Sequence, residues 1–194
     1  MTLHNGHIAD SMALRGVFSL FATGITVVTA NRTADPTTTA SGRPHGMTAN
    51  SFTSVSLEPP LVLVCVRRTA MMHEAILRSG AFAVSVLSGR QEHVARYFAS
   101  HQRPRDEHEF DLVDWTPGRH TGAPLLLGTL AWLECRLAAT YDGGDHSIFV
   151  GLVLDLGHGP DQEALLFFGG EFHRIEDGAL HRLERGTAGE RRGE

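Results

Sequence analysis

Gly46-Met47-Thr48-Ala49-Asn50-Ser51-Phe52-Thr53-Ser54-Val55-Ser56-Leu57-Glu58-Pro59-Pro60-Leu61 runs straight into Val62-Leu63-Val64-Cys65-Val66. The first part is small, hydroxyl-rich and apolar by turns, with one acidic residue and no basic one. His45 to Asn50 reads as a short strand. Glu58-Pro59-Pro60 sets an extended turn, and Leu61 to Val66 is the most hydrophobic strand of the chain. Its near-continuous apolarity predicts cover on both faces. Extended runs here follow one another across a proline turn, with no helix between them.

Upstream, Asp10 or Ser11 is placed to cap a helix from Met12 to about Ala22. Leu14, Val17, Phe18 and Phe21 share one of its faces, and Gly24 is expected to stop it. Ile25 to Ala30 is rich in β-branched residues and reads as a strand. Asn31 to Arg43 reads as a loop. Downstream, Thr69 is expected to cap a helix through Ala70 to Arg78 that ends at Gly80. Phe82 to Leu87 reads as a strand. Gln91 to Ala99 reads as a helix with Val94, Tyr97 and Phe98 on one face. Residues 100–123 form a long polar loop anchored by Phe110, Leu112 and Trp115, and such a loop is usually functional or shields something. Strands then follow over Pro124 to Leu127, Ala131 to Tyr141, Ser147 to Leu156, Ala164 to Phe168 and Glu171 to Ile175. Asp142-Gly143-Gly144-Asp145 joins the second and third as a turn. Many strands, few short helices and no βαβ alternation predict an all-β barrel with peripheral helices.

Composition bounds the function. A chain of 194 residues is expected to form one domain. Residues 1–11 read as a disordered N-terminus, 12–176 as the domain and 177–194 as a charged tail. A net charge of −5 provides no global field to recruit nucleic acid. No apolar run reaches membrane-spanning length, and Met1 to Asp10 lacks the pattern of a secretory signal. Cytoplasm is the expected location. Cys65 and Cys135 both lie in apolar runs, which favours buried thiols over a disulfide. The twelve histidines show no metal-type spacing. There is no GxGxxG between strand and helix, no Walker motif, no HExxH and no GxSxG.

By itself Gly46 to Ser56 reads as a polar edge strand and turn. It also reads as a ligand wall, where small residues admit a planar ring and amides and hydroxyls meet its polar atoms. Arg67 and Arg68 end a buried strand just before a helix start, which makes either two solvated arginines or a phosphate seat. Gly144-Asp145-His146 reads as simple turn chemistry, or as a histidine presented to a ligand.

Taken together, five stretches resemble the flavin reductase family with the FMN-binding split-barrel fold. They are Phe21–Thr29, Gly46–Phe52, Ser54–Leu63, Gly143–His146 and Leu165–Gly170. Members of this family are reductase components of two-component flavin-dependent monooxygenases, such as 4-hydroxyphenylacetate 3-monooxygenase. The resemblance spans roughly residues 12–176. It implies a Greek-key split barrel, a homodimer, and FMN or FAD near the subunit interface. It also implies NADH or NADPH as the hydride donor, and the absence of a clear 2′-phosphate arginine cluster in the sequence leans to NADH. Reduced flavin would reach the partner monooxygenase by diffusion, and no nucleic acid or membrane is involved. By position, Gly46, Met47, Thr48, Ala49, Asn50 and Ser51 would line the flavin ring and ribityl chain. Cys65, Val66, Arg67, Arg68 and Thr69 would follow the ribityl and phosphate. Tyr97 and Phe98 would close the pocket. Asp145, His146, Phe167, Phe168, Gly169 and Gly170 would meet the nicotinamide, with His146 orienting it and no general base required. The family commonly carries several Ser or Thr residues, and often an Asn, in the phosphate turn. Here the turn reads Arg67-Arg68-Thr69-Ala70-Met71-Met72, so either arginines and backbone amides hold the phosphate or its binding is altered. Two alternatives stand beside the reductase. One is an enzyme of the same fold using a deazaflavin or pyridoxamine phosphate, and the other is a flavin or haem carrier without reductase activity.

Overall fold

The computed structural model describes residues 10–32, 42–160 and 163–175. The stretches 1–9, 176–194 and most of the Asn31–Arg43 loop lie outside them. The elements are α1 (Ser11–Ser19), β1 (Thr23–Gly24), β2 (Thr26–Arg32), β3 (Arg43–Ala49), β4 (Thr53–Leu57), β5 (Pro60–Arg67), α2 (Met71–Ser79), β6 (Ala81–Val86), α3 (Glu92–Ala99), β7 (Trp115–Pro117), β8 (Pro124–Leu126), β9 (Ala131–Gly143), β10 (His146–His158), β11 (Ala164–Phe168) and β12 (Glu171–Ile175). The architecture is the mostly-β one expected.

Seven strands form one antiparallel sheet in the order β3-β2-β6-β9-β10-β5-β4. A second sheet has the order β1-β11-β12, and β7 pairs with β8. The expected strands fall at these places, and only their ends move. β9 and β10 are each 13 residues long and meet across Gly144-Asp145. Gly144 has φ +78° and opens a two-residue turn, which suits the hand of the strand twist.

The strands covered on both faces include β2, where Thr26 to Ala30 are all buried, and β6, where Phe82 to Ser85 are. The expectation for β5 is corrected. Val62, Val64 and Val66 are buried, while Leu61, Leu63 and Cys65 are only half-buried. One face of β5 packs on α2 and the core, and no described element fully covers the other.

The helices lie on the outside. α2 buries Met72, Ala75 and Ile76, and α3 buries Val94, Ala95 and Phe98. Asp10 caps α1, accepting from the Ala13 N–H at 3.3 Å. α1 ends at Ser19, well before Gly24, which pairs in β1 with Leu166. Thr69 does not cap α2. The N-cap is Ala70, with no side-chain hydrogen bond, and Thr69 is exposed. In the 100–123 loop Phe110 is buried and packs on Trp115 at 5.6 Å. Leu112 is exposed and does not anchor it. No described helix is long and apolar enough to cross a membrane.

Candidate functional site

Three hollows converge on the end of β3 and the turn that follows it. A cleft of about 410 Å³ lies between β3, the end of β5, the start of α2 and the 101–105 segment. Arg67, Arg103, Arg105, His45 and His101 line it, and no carboxylate does. Met47, Met71 and Phe98 supply an apolar side. A hollow of about 720 Å³ is lined by Phe18, Phe21, Thr23, Asn50, Ser51 and Phe52. A third, of about 200 Å³, joins Thr48, Ala49 and Asn50 to Phe167 and Phe172. Thr48 thus faces the basic cleft and the small hollow, and Asn50 faces the small hollow and the large one.

Each residue in this wall has a local reason for its type. Gly46 is buried, and a Cβ there would lie 2.5 Å from Phe98 Cε1, so its smallness makes room for a core ring of this chain. The Thr48 hydroxyl donates to the Ala95 carbonyl at 2.7 Å and ties β3 to α3. The Ala49 carbonyl accepts from the Thr26 hydroxyl at 2.8 Å. Ser51 Oγ donates to the Cys65 carbonyl (3.0 Å) and accepts from the Cys65 N–H (3.1 Å). That hydroxyl serves as a ladder partner for β5. Asn50 differs from its neighbours, being exposed and making no side-chain hydrogen bond to a described residue. Cys65 is half-buried, and burial pushes its thiol pKa up. Val66 is in the core.

Beneath the basic cleft is a group that the sequence reading did not find. Glu109, only 1% exposed, lies with Oε2 2.9 Å from His45 Nδ1 and with Oε1 accepting from the Gly46 N–H at 3.1 Å. Arg103 Nε donates to the same Oε1 at 3.2 Å. The remaining Arg103 bonds go to the Ser100 carbonyl at 2.6 Å and to the Gly46 carbonyl. Both backbone polar groups of Gly46 are therefore held by one ion pair reaching in from the long loop. Burial pushes the Glu109 carboxyl up, but the His45 hydrogen bond, the Gly46 amide and Arg103 outweigh it and hold it below its ordinary range. Burial also pulls the Arg103 guanidinium down, against Glu109. Tyr97 donates its hydroxyl to the Glu109 carbonyl at 2.8 Å and stands edge-on to Phe98 at 5.1 Å. The length of the 100–123 loop was the only signal in the sequence that it served the site.

The two arginines at the end of β5 differ in their surroundings. Arg67 lines the cleft and lies 3.7 Å from Asp145 Oδ2. Arg68 turns the other way, onto the β9–β10 turn, with Nη2 2.9 Å from Asp142 Oδ1. Thr69 lines the cleft. His146 lies opposite Arg67 in the β5–β10 ladder, its Nδ1 2.7 Å from Asp145 Oδ1. The His146 hydrogen bond is the main cause holding the Asp145 carboxyl below its ordinary range. His146 lines none of the three hollows. Phe167 lines the small hollow beside Asn50, while Phe168, Gly169 and Gly170 form an exposed turn whose Gly169 N–H donates to the Ser19 carbonyl of α1 (2.8 Å). The chain thus brings Thr48, Ala49, Asn50 and Phe167 together and leaves His146 apart from the Phe167–Gly170 turn.

These residues suit a flavin nucleotide. The Asn50 amide, with no hydrogen bond to a described residue, stands where two hollows meet, and the basic cleft, with an apolar side and no acid in its lining, opens beside it. Residues 18–176 match the family described as "Flavin reductase like domain". The NADH-dependent FAD reductase of Streptomyces globisporus is 49% identical over 166 residues, covering 86% of each chain. The reductase subunit of a flavin-dependent monooxygenase from Rhodococcus jostii is 38% identical over 167 residues, covering 86% of this chain and 79% of that one. The crystal structure of the flavin reductase component of a bacterial two-component tryptophan halogenase is 52% identical in sequence. It superposes with a TM-score of 0.78 over 87% of this chain and 99% of that one.

Proposed function

This chain belongs to the flavin reductase-like domain family, and from that membership we propose that it is an NADH-dependent flavin reductase that reduces FAD or FMN for a separate monooxygenase. The observation that carries the reading is the meeting of a basic cleft and two apolar hollows on Thr48–Ser51. A bound flavin would supply the acceptor for a hydride, and with it both electrons, from a nicotinamide donor. The work left to the protein is alignment, so no side chain need act as general base.

In this reading Asn50 hydrogen-bonds the polar edge of the flavin ring. Met47, Thr48, Ala49, Ser51 and the Cys65–Val66 backbone shape its seat. Gly46 and Phe98 stiffen the wall from behind. Arg67 and Thr69 hold the phosphate, and Tyr97 stays with the loop that carries Glu109. The cleft continues past Thr69 to Arg105, a second cation beyond the one beside Thr69, which supports FAD over FMN. Asp145 and His146 orient the nicotinamide, and Phe167 to Gly170 form its far wall. Because these two groups lie apart in one chain, a second copy supplying one of them completes the site, in keeping with a homodimer. The functional domain is taken as residues 12–176 and its location as the cytoplasm.

The deciding assay follows NADH absorbance with FAD, FMN and riboflavin in turn. FAD is expected to give the highest kcat/KM. Absence of turnover with any flavin and either nicotinamide would sink the reductase reading, and the absorbance of the purified protein would then separate a deazaflavin, pyridoxamine or haem binder. His146→Ala is expected to raise the NADH KM about tenfold and the flavin KM far less. Equal rises in both would reject its assignment.

A further inference from the structure

The hairpin tip that carries His146 is gripped from outside its own two strands. Arg68 is the first residue after β5. Its backbone N–H donates to the Asp145 carbonyl at 3.0 Å, extending the β5–β10 ladder by one bond. Its Nε donates to the Gly144 carbonyl at 3.0 Å, and its Nη2 lies 2.9 Å from Asp142 Oδ1. That same Oδ1 accepts the Gly144 N–H at 2.8 Å. One arginine therefore holds three of the four residues in the turn. On the far side of His146, Ser147 Oγ lies 2.8 Å from Nε2 of His73 in α2, whose ring packs on Phe149 at 5.1 Å. His146 is bracketed between these two grips.

The hairpin does not need Arg68 to close. Gly144 already supplies the turn conformation, and Gly143 pairs with His146 in the ladder. What Arg68 adds is the position of the tip relative to β5 and α2. A lone exposed ion pair would do little, and Asp142 is 80% exposed. Here, however, the pair is one of two side-chain bonds from a planar, forked group, and the backbone bond fixes where that fork begins. Arg68 is also absent from the lining of the basic cleft, where Arg67 and Thr69 are found.

We propose that Arg68 is a positioning residue for nicotinamide binding: it locks the 142–145 tip against the β5–α2 turn and so sets where His146 meets the nicotinamide. It is not a ligand of the flavin phosphate. The phosphate seat and the nicotinamide-side hairpin are then one rigid piece, joined by two adjacent arginines: Arg67, which lines the cleft and also lies 3.7 Å from Asp145 Oδ2, and Arg68, which is spent wholly on the turn. The inference rests on the role given to His146 above.

Steady-state kinetics on the full chain test it with Arg68→Ala, Arg68→Lys, Asp142→Asn and His146→Ala. Arg68→Ala is expected to raise the NADH KM about tenfold and the flavin KM less than about twofold. Asp142→Asn should move the NADH KM the same way by less, because an amide oxygen still accepts from Gly144. Arg68→Lys keeps the charge but loses the Nε–H, and should recover only part of the loss. The double variant Arg68→Ala/Asp142→Asn should be no worse than Arg68→Ala alone, since the two act as a unit. Melting temperature checks that Arg68→Ala is folded, and if it is not, Arg68→Lys and Asp142→Asn carry the same KM split. A flavin KM that rises as much as the NADH KM would overturn the inference and make Arg68 a phosphate ligand. An unmoved NADH KM in Arg68→Ala, with a raised one in His146→Ala, would overturn it alone. An unmoved NADH KM in His146→Ala would instead remove the nicotinamide assignment on which it stands.

Discussion

Replacing the Gly46 hydrogen with a methyl group puts a carbon 2.5 Å and 2.7 Å from two atoms of the Phe98 ring, closer than packed carbons sit. Gly46→Ala is therefore expected to cost about 1–3 kcal/mol of stability, as overpacking does. Adding Phe98→Leu should recover part of that cost, so the two changes sum to less than their separate effects in urea denaturation. Glu109 is tested by pH. Its folded pKa is held below its unfolded one, so its contribution is fully present above the ordinary carboxylate pKa and is lost as pH falls through the depressed folded value. Glu109→Gln leaves Arg103 buried without its counter-ion and should cost about 3–5 kcal/mol at neutral pH. Urea titrations from about pH 7 to about pH 3 should show a flatter acid limb for the variant than for the parent. A parallel limb would mean that the carboxylate is not what acid protonation attacks. At this scale the sequence showed residue types and not their partners. Asn50 and Ser51 were both expected to meet the flavin, and only the structure separates them. That Ser51 spends its hydroxyl on Cys65, and Gly46 its space on Phe98, depends on contacts 14 and 52 residues away, which no local pattern encodes.

Among the elements, α1 is the one whose sequence and surroundings disagree. A stripe of Leu14, Val17, Phe18 and Phe21 was legible from helical spacing, yet α1 stops at Ser19, short of Phe21, no residue of it is buried, and Phe18 and Phe21 are 67% and 75% exposed. The second face of β5 is apolar and half-covered, and Val55 and Leu57 are exposed on the neighbouring edge strand β4. Periodicity reports that a face is apolar. It does not report whether the cover comes from the same chain or another. Apolar area left in water forgoes about 25 cal/mol per Å², so elements this apolar on one face are built to be covered. A second copy of the chain would cover both faces if the proposed homodimer forms through them. Phe18→Asp with Phe21→Asp is expected to weaken self-association at least about tenfold in sedimentation, with the far-UV spectrum of the β-sheet retained. Association unchanged by the pair would place the dimer contact elsewhere.

Across the whole molecule, strands and turns were legible because each is written in adjacent residues: alternation in β6, the Gly-Asp turn between β9 and β10, and the Phe-Phe-Gly-Gly turn after β11. The sheet order was not, because β6 lies beside β9 and β2 beside β6 through pairings that skip whole elements. That order gives Cys135 its environment. β9 is the central strand of the seven, and Cys135 faces Phe82 on β6 and Val153 on β10 with no exposed surface. Burial, reinforced by the charge of Glu134, pushes its thiol pKa up to about 12. The thiol is thus both unreachable and un-ionised, and a thiol reagent needs the thiolate. Parting β9 from both neighbours means opening the middle of the sheet, which leaves no smaller unit around Cys135 to unfold first. In a Cys65→Ser variant, labelling of Cys135 should therefore proceed only through the globally unfolded chain. Its rate should equal the unfolding constant times the labelling rate of the denatured protein, and it should rise with urea along the full equilibrium slope. Faster labelling with a shallow dependence on urea would reveal a local opening of β9. Because β9 pairs directly with the His146 strand, such an opening would also loosen the hairpin that Arg68 is proposed to hold.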